Sequence, residues 1–322
     1  MSTEDSKPRS KVRFLEVTEE DEGQRLDNFL MRHLRKAPKS LIYRIVRKGE
    51  VRVNKGRAKV NTRIQAGDTV RVPPITLEEK KPVSSHIPQE DLRRLEGAIL
   101  FEDAHLMVIN KPSGYAVHGG GGIHHGVIEI IRELRPQAKR LELVHRIDRD
   151  TSGCLLIAKK ASVLKALHQQ IRDNQFDKRY AAIVANPWPK GVGCVDLPLK
   201  KEHLKDGGWH VKVCPVEQGG KTAVSYFTVD QAMDGADLVA VKLKTGRTHQ
   251  IRVHALAHNC ALIGDDRYGD RELNKRYRKL GMKRLALHAR YLGFTHPVTE
   301  EKMLMEAPLP HDFKRLIEVL SR

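Results

Sequence analysis

The sequence predicts an α+β chain with a small basic N-terminal unit and a larger unit built on a mixed, mostly antiparallel sheet. Three observations predict it. Strand-like and helix-like segments follow one another irregularly after Ala98, without the strict alternation of a doubly wound parallel sheet. A proline-bearing stretch, 73–97, separates that part from what precedes it. The excess positive charge is concentrated ahead of that stretch. A chain of 322 residues allows one large or two ordinary domains, and 40% apolar residues suffice for a core.

Residues 1–22 begin polar and are expected to be a flexible segment. The unit at 23–72 holds fourteen Lys and Arg against three acids, a net of +11 within a chain of +18. Leu26, Phe29, Leu30 and Leu34 recur at helical spacing until Pro38. Ser40 is placed to cap a second helix whose apolar face is Leu41, Ile42, Ile45 and Val46, with Gly49 ending it. Arg44, Arg47 and Lys48 lie off that face. VRVN, a turn at Asn54-Lys55-Gly56, and TVRV then read as short strands. A basic outer side on such a module suits the phosphates of a nucleic acid, with little sequence choice. The segments GQRLDNFLMRHL, PKSLIYRIVRKGEVRVNKGR and AGDTVRV together resemble an S4 (αL-type) RNA-binding domain. Arg44, Arg47, Lys48, Arg52, Lys55 and Arg57 are the expected RNA contacts of this module.

The larger unit, 98–322, carries strand-like LMVIN, CLLIAKK, RYAAIVA and LVAVKLK. Helix-like segments are GVIEIIRELR, SVLKALHQQIRDN and THQIRVHALAHN.

Several function classes are disfavoured. Cys154, Cys194, Cys214 and Cys260 are scattered without a CxxC pair, which argues against structural zinc and a disulfide framework and fits a reducing cytoplasm. The N-terminus lacks an apolar signal core, and no run of about 18 apolar residues suggests a membrane span. GGKT at Gly219 to Thr222 fails the P-loop rule because position 215 is Pro, and the glycines at 119–122 lack a following Gly-Lys-Ser/Thr. His249, His254 and His258 are spaced five and four apart without an HExxH acid, so no metal site is expected.

Three polar clusters remain at the ends of apolar elements: HRIDRDTSG at His145 to Gly153, DKRY at Asp177 to Tyr180, and TGRTHQIRVH at Thr245 to His254. Guanidinium groups beside Asp148 favour its charged form, suited to nucleophilic or electrostatic work. On spacing alone, a turn aspartate paired with arginine is an equally good reading.

HRIDRDTSG closely resembles the HRLDxxTSG signature of RluA-type pseudouridine synthases, with Ile147 in place of the usual Leu. VINKPSGYAVHGGGG, KRYAAIV, LKTGRTHQIRVH, GDDRYGD and LALHARYLGFTHP follow the family's order. With an S4 domain in front, the chain is most similar to the RluC branch, the RluD branch being the nearest confusion. The resemblance implies a catalytic domain with a central cleft that converts uridines of large-subunit (23S) ribosomal RNA to pseudouridine at several sites, in a cytoplasmic monomer. It implies Asp148 as the catalytic carboxylate, Arg252 as its partner, Tyr180 beneath the base, and Arg146 filling the gap left by a flipped nucleotide. His145, Arg149, Arg247 and His249 are expected RNA contacts beside them. Breaking N1–C1′ and joining C5 to C1′ is redox-neutral, so no cofactor or metal is expected. The rivals are an RNA-binding assembly factor that kept the fold without activity, and a nucleoside hydrolase. The presence of Asp148, Arg252 and Tyr180 speaks against the first, and the S4-like module against the second.

Overall fold

The computed structural model describes residues 12–34, 37–75, 86–119, 125–204 and 208–321. The chain divides into two compact units, 1–84 and 85–322.

The first unit runs β1 (Arg13–Glu16), α1 (Leu26–His33), α2 (Lys39–Arg47), β2 (Arg52–Val53), β3 (Gly56–Arg57) and β4 (Thr69–Val72). The strands form one sheet in the order β1-β4-β2-β3. Leu26, Phe29 and Leu30 of α1 meet Ile42, Ile45 and Val46 of α2 and Val70 of β4 in its core. Each such side chain contributes roughly 2 kcal/mol on burial. Asn54 and Lys55 both have positive φ, 48° and 68°, the conformation that closes a two-residue hairpin without splaying its strands. Gly49 sits at φ +74°, and a Cβ there would lie 2.6 Å from Nε of Arg57.

Two expectations change here. Residues 13–16 pair antiparallel with β4, Phe14 opposite Arg71, so part of the expected flexible segment is a sheet strand. Its side chains are mostly exposed, which is why no apolar alternation marked it. Helix α2 begins after Pro38, not Ser40, and no side chain caps it. Proline lacks an N–H and fixes its own φ, so it suits a helix start. Residues 1–11 lie outside the described residues.

The second unit begins with α3 (Gln89–Glu96), β5 (Ile99–Glu102), β6 (Leu106–Lys111), α4 (Val127–Leu134), β7 (Glu142–Leu143), β8 (Ser152–Ala158), α5 (Ala161–Arg172) and β9 (Asp177–Ala185). It continues with β10 (Cys194–Asp196), β11 (Leu199–His203), β12 (Trp209–Val213), β13 (Val224–Met233), β14 (Ala236–Leu243), α6 (Gln250–Ala257), α7 (Arg271–Lys279), β15 (Leu287–Thr295), β16 (Lys302–Glu306) and α8 (His311–Leu320). Helix α3 lies inside the expected linker. Pro88 precedes it, and Leu95 is buried with Ile128 and Ile131 of α4. Only two leucines mark it in the sequence, too few for a helical period. Residues 76–85 of that linker lie outside the described residues.

The main sheet has the order β10-β13-β14-β9-β15-β8-β6-β5, with β16 on β15 and β7 on β8. Its pairs are antiparallel except β8–β15. Strand β8 is buried along its length because both its faces are covered. Leu155 and Ile157 pack with α4, while Leu156 and Ala158 pack with Val163 and Leu167 of α5. Strand β9 does the same: Ala182 and Val184 face the cluster holding Ile251 of α6, Ala181 and Ile183 the one holding Phe313 of α8. Sheets covered on both sides read as unbroken apolar runs, which CLLIA and AAIVA are. Gly153 has φ +111°, and a Cβ there would fall 2.2 Å from the carbonyl oxygen of Ala289 in β15. The last residue of HRIDRDTSG is therefore set by the close β8–β15 approach. Among the described residues no helix is long and apolar enough to cross a membrane.

Candidate active site

Three stretches of the second unit meet at a cavity of about 70 Å³ lined by Arg146, Asp148, Tyr180, His249 and Arg252. They are the 145–151 loop before β8, the start of β9, and the turn into α6.

The 145–151 loop is anchored from behind. Lys111, fully buried at the end of β6, donates its ammonium to the carbonyls of Pro112, Tyr115 and Arg149 at 2.9, 2.8 and 2.9 Å. The Gly114 N–H also donates to the Arg149 carbonyl, and the Ser113 hydroxyl to that of Asp150, at 3.0 and 2.7 Å. Burial lowers the Lys111 pKa to about 7, against the opposing charges of Asp150 and Asp148. The loop's two acids then diverge. Asp150 pairs with Arg149 at 3.0 Å, both partly exposed. Asp148 lines the cavity, its side chain 22% exposed.

The turn into α6 is held by the buried side chain of Gln250. Its oxygen accepts from the Arg247 N–H and the Thr245 hydroxyl, at 2.9 and 2.8 Å. Its amide donates to the Val224 carbonyl and Ser225 Oγ, at 3.0 and 2.8 Å. That satisfied group holds His249 in left-handed backbone at φ 55°, a strained conformation for histidine.

In the first turn of α6, buried Arg252 is gripped by Asp265: Nε and Nη2 each donate to its carboxylate at 2.7 Å. The remaining Nη1 lies 3.5 Å from Oδ2 of Asp148. Burial works against the guanidinium charge, but the Asp265 fork and the Asp148 charge outweigh it and raise the Arg252 pKa. Asp265 is itself held by the N–H groups of Arg267 and Tyr268, at 2.9 and 3.0 Å.

His249 is largely buried, with Nε2 3.7 Å from the same Oδ2 of Asp148. Its Nδ1 lies 2.8 Å from the hydroxyl of Tyr268, whose ring also sits 4.9 Å from the Arg252 guanidinium. Burial lowers the His249 pKa, and Arg252 and Arg267 reinforce this against the attraction of Asp148. Tyr180, opposite Val241 in the sheet, lines the same cavity. Burial, then the charge on Asp148, raise its pKa, so it is a neutral phenol at neutral pH.

The structure thus brings Asp148, Arg252, Tyr180, His249 and Arg146 together. Arg146 is exposed, and its guanidinium makes no ion pair or hydrogen bond among the described residues. Exposed Arg247 borders the cavity and donates to the Thr222 carbonyl at 3.0 Å. His145 is committed to the protein: its Nε2 accepts the Leu156 N–H at 3.2 Å, and burial with nearby Lys178 lowers its pKa to about 4. In the first unit Arg44, Arg47, Lys48, Arg52, Lys55 and Arg57 are all exposed.

Sequence reasoning missed Asp265 and Tyr268. Both lie in GDDRYGD, quoted only for its resemblance, and nothing in its spacing distinguishes a buried acid from a turn acid. Among the described residues no group of three or more His, Cys, Asp or Glu could hold a metal ion. His254 instead contacts Ser225 Oγ and the Leu197 carbonyl, each at 3.0 Å. Gly120 to Gly122 of the four-glycine loop lie outside the described residues.

Comparison with known proteins shows what the chain is similar to. Residues 105–257 match the RNA pseudouridylate synthase family, and residues 24–70 match the S4 domain. The chain is 48% identical over 313 residues to a Salmonella typhimurium protein named ribosomal large subunit pseudouridine synthase C, covering 96% of this chain and 97% of that one. It is 47% identical to the Escherichia coli protein of the same name, with the same coverage. Among solved structures, human RNA pseudouridylate synthase domain containing 4 superposes with a TM-score of 0.58 at 26% identity, covering 71% of this chain and 95% of that one. With its fold, its two matched domains and relatives of nearly equal length, the chain belongs to the RNA pseudouridylate synthase family.

Proposed function

We propose that this protein isomerises uridines of large-subunit ribosomal RNA to pseudouridine, with Asp148 as the reacting carboxylate. The observation that carries the reading is the arrangement of Asp148. Nη1 of Arg252 and Nε2 of His249 both approach its Oδ2, at 3.5 and 3.7 Å, and the carboxylate is partly exposed at the cavity. Two protein groups flank the carboxylate, and the cavity leaves it accessible to substrate.

The chemistry matches that arrangement. The N1–C1′ bond breaks, the C5–C1′ bond forms, and the C5 proton is replaced by one at N1. Attack on the sugar, attack on the ring, and removal of a sugar proton all require an anionic carboxylate against the nucleoside. Arg252, itself locked by Asp265, supplies the fixed positive charge that holds it. Tyr180 offers its ring to uracil and its protonated hydroxyl near C5.

For a uridine to come against Asp148, an exposed side chain at the rim of the cavity can move aside. Arg146 is free to do so, and its guanidinium would occupy the stack the uridine leaves. The exposed cations of the S4 domain would bind ribosomal RNA through its phosphates. Relatives named for large-subunit RNA support this substrate, and cytoplasm is where such RNA resides. Mapping pseudouridines in ribosomal RNA from cells lacking the gene tests the reading. Loss of several in the large-subunit RNA is expected; an unchanged map would overturn it.

A further inference from the structure

Tyr268 lies in the loop before α7. Its hydroxyl oxygen accepts the Val211 N–H of β12 at 3.0 Å and lies 2.8 Å from His249 Nδ1. The other imidazole nitrogen faces Asp148. We propose that Tyr268 is a positioning residue for the isomerisation: it fixes His249 as the Nε2–H tautomer, giving Asp148 a neutral donor beside the Arg252 cation. This rests on the function proposed above.

Hydrogen-bond accounting leads there from both ends. A carboxylate only accepts, so a hydrogen bond from His249 to Asp148 requires the proton on Nε2. Nδ1 of a neutral imidazole is then an acceptor and requires a donor. The Tyr268 hydroxyl already accepts from Val211 and has its own hydrogen to give. Donating to Nδ1 satisfies Val211, Tyr268 and Nδ1 of His249, and leaves Nε2–H facing Asp148. The opposite tautomer leaves the phenol hydrogen without a partner and turns a lone pair toward a carboxylate.

Burial favours the neutral ring. Arg252 and Arg267 face His249, against the acids Asp148 and Asp265. Trp209 of β12 covers it at 5.0 Å between centroids, and that indole has Lys201 at 3.9 Å and Arg267 at 4.8 Å from its centre. Tyr268 meets the ring edge-on, 82° between planes, and its own amide is tied to Asp265. Asp265 therefore orders both supports of Asp148: Arg252 directly, and His249 through Tyr268. From 3.5 and 3.7 Å, a contraction of a few tenths of an ångström would bring both groups into hydrogen-bond range of Asp148.

The test combines a spectrum with kinetics on the full chain. In ¹⁵N spectra, with His249 assigned by its absence in His249→Gln, the wild-type imidazole should be protonated at Nε2; a ring protonated mainly at Nδ1 overturns the proposal. Tyr268→Phe keeps the ring on Arg252 and removes only the hydroxyl. On large-subunit ribosomal RNA transcribed in vitro, it should lower kcat roughly tenfold and leave KM within about twofold. A glutamine at 249 presents an amide donor without tautomers, so in His249→Gln the same substitution should change kcat less than about twofold. An unchanged kcat in Tyr268→Phe, or an equal loss in both backgrounds, would show that Tyr268 does not act through His249. If Tyr268→Phe fails to fold, the wild-type spectrum still decides. A wild-type protein that forms no pseudouridine counts against the proposed function, and the spectrum tests Tyr268 separately.

Discussion

Arg252 reaches Asp148 with only one arm of its guanidinium, because Asp265 holds the other two nitrogens at 2.7 Å each. An arginine gripped in this way cannot swing toward a phosphate. Its charge stays where Asp148 needs it, at 3.5 Å, before any RNA arrives.

Asp265→Asn should therefore damage stability and activity together. The carboxylate is fully buried, and its loss leaves a buried guanidinium with half its charge compensation. Breaking a buried pair of this kind costs about 3–5 kcal/mol. Denaturant unfolding monitored on the second unit checks the cost. Pseudouridine formation, measured where the variant is still folded, should fall well below wild type. Wild-type stability would show that the fork carries little.

Acid should weaken the second unit before most carboxylates titrate. His145 and His288 are held neutral by burial, each with its pKa lowered from 6.5 to about 4. Between those values the unfolded chain binds protons that the folded one refuses. Their contribution is complete above about 6.5 and is lost as pH falls toward about 4. His288 Nδ1 contacts Ser152 Oγ, and Nε2 donates to the Ala307 carbonyl, so protonation also disrupts a filled network. The unfolding midpoint should drop steeply across that window, and less steeply in His288→Asn. Equal slopes would contradict the assignment to His288.

Salt dependence should report the first unit. Changing Arg44, Arg47 and Lys48 together to Ala removes three exposed cations from α2 and its end. RNA affinity should fall, and the slope of log affinity against log salt should flatten by about two to three. An unchanged slope would place those cations away from phosphate.

How much of this was legible is clearest at HRIDRDTSG. Burial on both faces of β8 and β9 leaves apolar runs that any reading by period finds. The choice of Asp148 over Asp150 rests on resemblance; in the structure Asp150 pairs with its neighbour Arg149, and Asp148 meets a residue from a distant helix. Partners that distant leave no local spacing, so Asp265 and Tyr268 were invisible and His249 read as an RNA contact. Strand β1 escaped for a related reason: its exposed side chains say little, and its place is set by the ladder to β4.

The most direct test of the central claim is Asp148→Asn, which keeps the shape of the side chain and removes its charge. Pseudouridine formation in large-subunit ribosomal RNA should fall below detection while RNA affinity stays within about twofold, since the S4 cations are untouched. A variant that still isomerised uridine at the wild-type rate would contradict the account.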